Sequence, residues 1–365
     1  MIDTQGHANV VPEELRNTLG QRSATWIVAV FIAIMVAALM GLVRVPYVVL
    51  KPGPVTNTLG NGPGGKPLIT VEGKGTYPTT GALDFTTVAV SGGPNNPVNI
   101  WQWVTGHLDQ TNSVVPEELL FPKGVTLTQV DQQNAAEMVD SQQEAIAVAL
   151  RGLGETVPEV VTVKELAKDS PASGVLRAGD VLVSIDGKTV TTPDGVRAAV
   201  QAHKAGDLAV FTVRRGGQEQ VLKVKTADSQ GRTVVGVYLK ASFDFPISVS
   251  INVGDVGGPS AGMMFSLAVY DKLTPGAMTG GATIAGTGTI DSVGVVGSIG
   301  GIQQKLAGAR TGGATWFLAP AGNCREVVGH VPDGLQVVKV STFSEARDAV
   351  EAIAAKRTSS LPGCS

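Results

Sequence analysis

Clusters of basic residues are absent from this sequence of 365 residues. Its Lys and Arg are scattered and its formal net charge is −3, so it carries no electrostatic footprint for nucleic acid, and DNA and RNA are set aside as partners. Cysteine is scarce too. Cys324 and Cys364 are 40 residues apart, without a CxxC spacing or a neighbouring His cluster, so neither a zinc site nor a disulfide framework can be read from them. Taken alone they suggest a structural Cys324 and an unpaired Cys364 in a loose tail, a disulfide staying open if the domain lies outside the cytoplasm. No nucleophile-elbow sequence accompanies His330, which leaves a Ser-His-Asp triad without support, and the other histidines look incidental. An ATP site is also missing. Gly60 to Lys66 (GNGPGGK) fits the first seven positions of a phosphate-binding loop. However, Pro67 stands where a Ser or Thr hydroxyl would hold magnesium, it supplies no N–H, and no apolar helix follows. We read a Gly-rich turn and expect no cofactor.

Charge is missing altogether from residues 26–43, a run bracketed by Arg22 and Arg44. As a helix, the 21 positions between those arginines span about 31 Å, the thickness of a bilayer core. A cleaved signal peptide has a shorter apolar region and a small-x-small cleavage site, and none stands out after Met40. We therefore expect a single-pass transmembrane helix at 26–43 behind a short N-terminal tail, 1–25. Arg16 and Arg22 on one side balance Arg44 and Lys51 on the other, so the positive-inside count does not orient it. A short tail, one span and a large body is the layout of a signal anchor at the cell membrane, with the body extracytoplasmic.

Beyond the span, residues 44–155 read as a β-rich region with a linking helix. Alternating stretches at 67–72 and 83–90 are separated by Gly and Pro turns, and Ala135, Met138, Ala145, Ile146 and Ala149 recur at helical steps within 131–153. Residues 156–228 change character. Ser170-Pro-Ala, Gly179-Asp-Val-Leu and Ile185-Asp-Gly, with an amphipathic segment at 193–203, resemble the PDZ domains of bacterial proteases. The resemblance implies capture of an extended peptide, such as a polypeptide C-terminus, as an added strand on an exposed sheet edge. We expect that edge to be the strand 160–166. A small β-rich spacer that binds nothing is the plainer alternative.

Residues 247–309 carry the chemistry. Ile247, Val249, Ile251 and Val253 alternate along a strand, and the turn Gly254-Asp-Val-Gly-Gly-Pro-Ser260-Ala-Gly leads into an apolar helix. A serine at a strand-to-helix junction suits a nucleophile, because unpaired N–H groups at a helix start stabilise an oxyanion. It equally suits an ordinary N-cap. Further on, Ile302, Lys305, Leu306 and Ala309 fall at i, i+3, i+4 and i+7, placing one lysine on the stripe that faces the core. Burial lowers an amine's pKa and makes it a base for a serine, whereas a lysine snorkelling past the core edge needs no such role.

Gly258-Pro-Ser260-Ala-Gly, Met278-Thr-Gly280, Ile299-Gly-Gly301 and Lys305 resemble, in order and spacing, the proteolytic domain of Lon proteases, over residues 243–354. The resemblance implies Ser260 as nucleophile and Lys305 as its base, with backbone amides near Gly258 and Ser260 holding the oxyanion and Thr279 hydrogen-bonding near the lysine. It also implies a homo-oligomer. The residues before Gly258-Pro-Ser are Asp255-Val-Gly where Lon has Pro-Lys-Asp, so the substrate-side wall differs. A tail, 355–365, ends the chain. The expected architecture is multidomain: transmembrane helix, β-rich region with helices, PDZ domain and C-terminal α/β (α+β) Lon-type proteolytic domain. The expected function is ATP-independent serine endopeptidase activity on unfolded or extended polypeptides at the membrane. The alternative is a membrane-tethered PDZ adaptor with an inactive Lon-like scaffold.

Overall fold

The computed structural model describes residues 13–364, with side chains from Thr25 onward. Of the expected tail, residues 1–12 lie outside the described residues, and from Glu13 the chain is already helical. In chain order the elements are α1 (Glu13–Leu42), β1 (Tyr47–Asn57), β2 (Ile69–Glu72), β3 (Ala82–Gly92), α2 (Ile100–Leu108), β4 (Ser113–Pro116) and α3 (Leu127–Gly152). Next come β5 (Glu159–Leu166), β6 (Val181–Ile185), β7 (Lys188–Thr189), α4 (Pro193–Gln201), β8 (Leu208–Arg215), β9 (Gln218–Lys225), β10 (Ala227–Ser229), β11 (Arg232–Val234) and β12 (Val237–Phe243). The last third holds β13 (Ser248–Ile251), α5 (Gly262–Leu273), β14 (Thr283–Gly286), β15 (Thr289–Ile290), β16 (Val296–Gly297), α6 (Ile302–Thr311), β17 (Trp316–Pro320), α7 (Cys324–Val327), β18 (Gln336–Val340) and α8 (Phe343–Ala354).

These elements form two compact units, one of residues up to 53 with 88–130, the other of 54–87 with 131 onward. In the first, Thr25–Leu42 of α1 has mean hydropathy 2.5 and is nowhere buried, so this helix is long and apolar enough to cross a membrane. Where α1 ends, the Ile100 N–H donates to Val43 O and the Val45 N–H to Val98 O. Asn99 caps α2 in a reciprocal capping box with Gln102. β1 pairs antiparallel with β4, Val49 opposite Val114, and Gly106 of α2 lies against both, where a Cβ would be 2.8 Å from Val114 Cγ2.

The second unit contains two hydrophobic cores with different sources. Strands β3, β14, β17 and β18 lie side by side in one sheet, the neighbours among them parallel. Met264, Phe265 and Ala268 of α5, Ala145 to Leu150 of α3 and Val350 of α8 pack with Leu83, Phe85, Ile284, Leu318 and Val338. Ile302, Leu306 and Ala309 of α6 cover the other face, on Ala285, Phe317 and Ala319. Successive strand residues face opposite sides, so each strand feeds both layers. Region 44–155 is thus no separate body: its residues 54–87 and 131–152 supply β3 and α3 to the core that surrounds α5. Gly60 to Lys66 forms a turn around a short 3₁₀ segment, Pro63–Gly65, closed by the Gly62 N–H on Lys66 O.

The other core belongs to the sheet β12-β5-β6-β8-β9, with α4 against it. Asp180, from the Gly179-Asp-Val motif, is buried and gripped at both oxygens by Arg215 (Nε–Oδ1 2.7 Å, Nη2–Oδ2 2.7 Å), while its Oδ2 also accepts the Arg177 N–H. Two expectations change here. Strand β5 is not an edge, because it lies between β12 and β6, and the edge on that side is β12. Consequently the domain does not close at 228, since it needs β12 as far as Phe243. The cysteines also differ from the unpaired reading: Cys324 and Cys364 form a disulfide with Cα atoms 5.0 Å apart. The tail is tied down by this bond and by the Lys339 N–H donating to Pro362 O.

Candidate active site

Three elements from opposite sides of the sheet converge on Ser260. The turn after β13 is steered by α3: the Gly258 N–H donates to Asn134 O, and Ser141 Oγ donates to Pro259 O at 3.0 Å. Close approach of α3 requires small residues, since a Cβ on Gly262 would be 2.6 Å from Ser141 Oγ and one on Gly257 would be 2.8 Å from Asn134 Cβ. Gly258 itself takes φ +84°, a left-handed conformation that favours glycine. The turn delivers Ser260 one residue before Ala261, which occupies the N-cap position of α5 without a side-chain cap. Ser260 is therefore not the capping serine.

Its hydroxyl meets Lys305 instead. Nζ of Lys305 lies 2.8 Å from Ser260 Oγ and 2.9 Å from Thr287 Oγ1. Lys305 is 3% exposed, so it does not snorkel, and burial pulls its amine down to about 8. Thr287 follows β14 directly, at the carboxyl end of a parallel strand where α/β sites commonly form. Its hydroxyl donates to Ser260 O at 2.9 Å, and the Gly288 N–H donates to the same carbonyl at 2.8 Å. With its proton committed there, Thr287 Oγ1 accepts from Nζ, which donates a second hydrogen bond to Ser260 Oγ. The turn before α6 is fixed by buried Asn323, whose Oδ1 accepts the Ile299 N–H at 2.9 Å while its Nδ2 donates to Ile299 O at 2.8 Å.

Of the four residues the sequence singled out, Ser260 and Lys305 are together and the other two take different roles. Thr279 is buried away from the lysine: its hydroxyl donates to Thr80 O and accepts from the Gly281 N–H. The threonine at the amine is Thr287, in Gly286-Thr-Gly288, a second Thr-Gly pair that the earlier Met278-Thr-Gly280 overshadowed. Gly258 shapes the turn, but its N–H is already given to Asn134 O. The amides of Ser260 and Ala261 make no hydrogen bond among the described residues. His330 is exposed, its Nδ1 3.2 Å from Val328 O, and it takes no part in this cluster. Ser141, Asn134, Thr287 and Asn323 went unread in the sequence; only the second Thr-Gly pair left a local signal.

Replacing Thr287 with Val removes one acceptor for the amine and one donor to Ser260 O. We expect hydrolysis to fall about 10–100-fold, the cost of one or two buried hydrogen bonds to a polar or charged group. Steady-state rates on a fluorogenic peptide, with a thermal melt as control, test this, and an unchanged rate in a folded variant would remove Thr287 from the site.

Residues 243–354 match the model of the Lon protease (S16) C-terminal proteolytic domain, and residues 113–226 match that of the PDZ domain. Lon protease 2 from Bacillus subtilis is 25% identical over 195 residues, 53% of this chain and 33% of that protein. The chain thus spans about a third of the length of that relative. Among solved structures, the PDZ domains of SdrC-like proteins from Listeria monocytogenes and Listeria innocua are 27% and 26% identical. Each covers 22% of this chain, and 85% and 92% of the respective Listeria chains, with a TM-score of 0.21 for both. With a proteolytic-domain match spanning both Ser260 and Lys305, and a PDZ match before it, the chain is similar to PDZ-containing Lon-like proteases.

Proposed function

We propose that the chain is an ATP-independent serine endopeptidase, anchored by residues 26–43 with its body outside the cytoplasm, that cleaves unfolded or extended polypeptides with a Ser260–Lys305 dyad. The observation that carries this reading is the buried amine of Lys305, 2.8 Å from Ser260 Oγ. In its neutral form the amine takes the hydroxyl proton as Oγ attacks the peptide carbonyl carbon. The oxyanion forms against the amides of Ser260 and Ala261 at the start of α5. Lys305, now an ammonium, returns the proton to the leaving nitrogen, and a water molecule releases the acyl group from Ser260 by the same route. This intact pair favours the peptidase over the inert adaptor. The disulfide favours an oxidising compartment, and the uncharged span of α1 supports the anchor.

Substrate capture is assigned to the unpaired edge of β12. A groove of about 500 Å³ lies between β12 and α4, lined by Val196, Val200, Val237 and Leu239, with Arg197 and Arg232 on its border. A strand added there gains main-chain hydrogen bonds, and the arginines suit a terminal carboxylate. Arg232→Glu, an exposed change on the groove border, is expected to raise KM for an unfolded protein about tenfold with kcat kept, because the reversed charge repels a terminal carboxylate. A KM equal to wild type would remove the groove from substrate binding.

The full chain, reconstituted in lipid nanodiscs without nucleotide, is incubated with an unfolded protein beside the Ser260→Ala variant, and fragments are read by mass spectrometry. Cleavage by the wild type alone supports the proposal. Silence of the wild type, or equal cleavage by the variant, rejects it.

A further inference from the structure

Three segments of the first unit meet where α1 ends. The Val43 carbonyl accepts the Ile100 N–H, Arg44 bridges Asn99, and the Pro46 carbonyl accepts the Glu117 N–H. This brings α2 and the short 3₁₀ turn Glu117–Leu119 to the foot of the apolar helix. Both present large apolar side chains outward: Trp101 is 42% exposed and Leu119 70%. Trp101 goes further, since its Nε1 donates to Ala37 O at 2.8 Å, a carbonyl inside the uncharged run. Ala37 precedes the helix end at Leu42 by five residues, which places the indole about 7 Å up the span.

We propose that Trp101 and Leu119 form a collar that sits in the headgroup and upper acyl region of the bilayer, fixing this unit against the membrane surface. This rests on the reading of residues 26–43 as an uncleaved anchor. A tryptophan with an apolar body and a polar N–H suits that depth, and Trp101 meets the apolar run of α1 directly at Ala37. Arg44, beside it with Nη1 on Pro97 O, is placed for lipid phosphates. Glu118 is paired with Lys123 at 2.7 Å, which moderates the nearest acidic charge. A second copy of the chain is the other occupant such a surface would accept, and the experiment separates the two.

The full chain is placed in phosphatidylcholine vesicles whose acyl chains carry bromine close to the headgroup. In one variant Trp101 is the sole tryptophan, Trp26, Trp103 and Trp316 being Phe; in another only Trp26 remains. Emission of both is expected to fall by more than about half in the brominated vesicles, the response of indoles at a membrane interface. If Trp26 is quenched and Trp101 responds only to aqueous acrylamide, the collar is overturned and the anchor stands. If Trp101 responds to neither, protein covers it and the collar is again overturned. If bromine reaches neither tryptophan, the anchor reading fails and takes the collar with it. Because Trp103 packs edge-to-face with Tyr47, a nitroxide on Leu119→Cys reads the same surface with every tryptophan kept. The natural cysteines are paired and take no label. Stronger relaxation by oxygen than by a nickel chelate supports the collar, and the reverse order overturns it.

Discussion

Lys305→Met is expected to stop peptide hydrolysis, by 10³-fold or more on the order of what a nucleophile's base supplies, while leaving the protein folded and more heat-stable than wild type. The two halves of this expectation have one cause. Nζ is the group beside Ser260 Oγ and sits in a buried place, where a cation is costly and a thioether of similar length is not. Burial depresses the amine from 10.5 to about 8, a difference on the order of 3 kcal/mol held against the folded state when the amine is protonated. Met gives up the hydrogen bond to Thr287 but removes that penalty. Ser260→Ala should lose activity to a similar degree without the gain in melting temperature, because the amine stays. Hydrolysis of a peptide and calorimetric melting of wild type and both variants test the pair. Activity within tenfold of wild type in Lys305→Met would refute the dyad.

The second large effect is on pH. With the neutral amine as the proposed base, kcat/KM should climb about tenfold per pH unit from 6 towards 7.5 and level off above about 8, where burial has placed the Lys305 equilibrium. At pH 7 only about a tenth of the molecules then carry the active form. The sign for stability follows from the same shift. Between about 8 and 10.5 the unfolded chain keeps the lysine proton and the folded chain has lost it, so stability rises with pH through that window. Below it both states are protonated and the penalty is constant. Denaturant unfolding at pH 7 and pH 9.5, wild type against Lys305→Met, isolates this contribution: the wild type should narrow the gap at the higher pH. A flat rate profile between pH 6 and 9 would show that Lys305 is not the titrating base.

Much of the site was legible in the sequence because its signals are local. A 3.6-residue periodicity placed Lys305 on the stripe of Ile302, Leu306 and Ala309, and the fold buries all four. The strand-turn-helix pattern around Ser260 is equally local, as are the turn at Gly60 to Lys66 and the uncharged run of α1. What failed was each choice between two equivalent local patterns. Met278-Thr-Gly280 and Gly286-Thr-Gly288 both offer a Thr-Gly pair. Thr279 precedes β14 and turns to Thr80, whereas the parallel pairing of β14 with β3 and β17 carries Thr287 to the lysine.

Strands β5 and β12 show the same limit. Both are short and β-prone, and only the long-range pairing of Val237 to Phe243 with Glu159 to Leu166 decides which keeps an unpaired edge. The cysteines were opaque for a related reason. Cys324 follows β17, and Cys364 is brought beside it when the chain end returns along β18 through the Lys339 to Pro362 hydrogen bond. The sequence by itself determined the uncharged span, the candidate serine and lysine and, through the order of their motifs, the resemblance to two domain families, since periodicity, turn chemistry and motif order are properties of neighbouring residues. Tertiary structure alone decided which hydroxyl orients the lysine, which strand edge is open, and how the cysteines pair. Each of those depends on sheet register and chain return, which bring together residues far apart in the sequence.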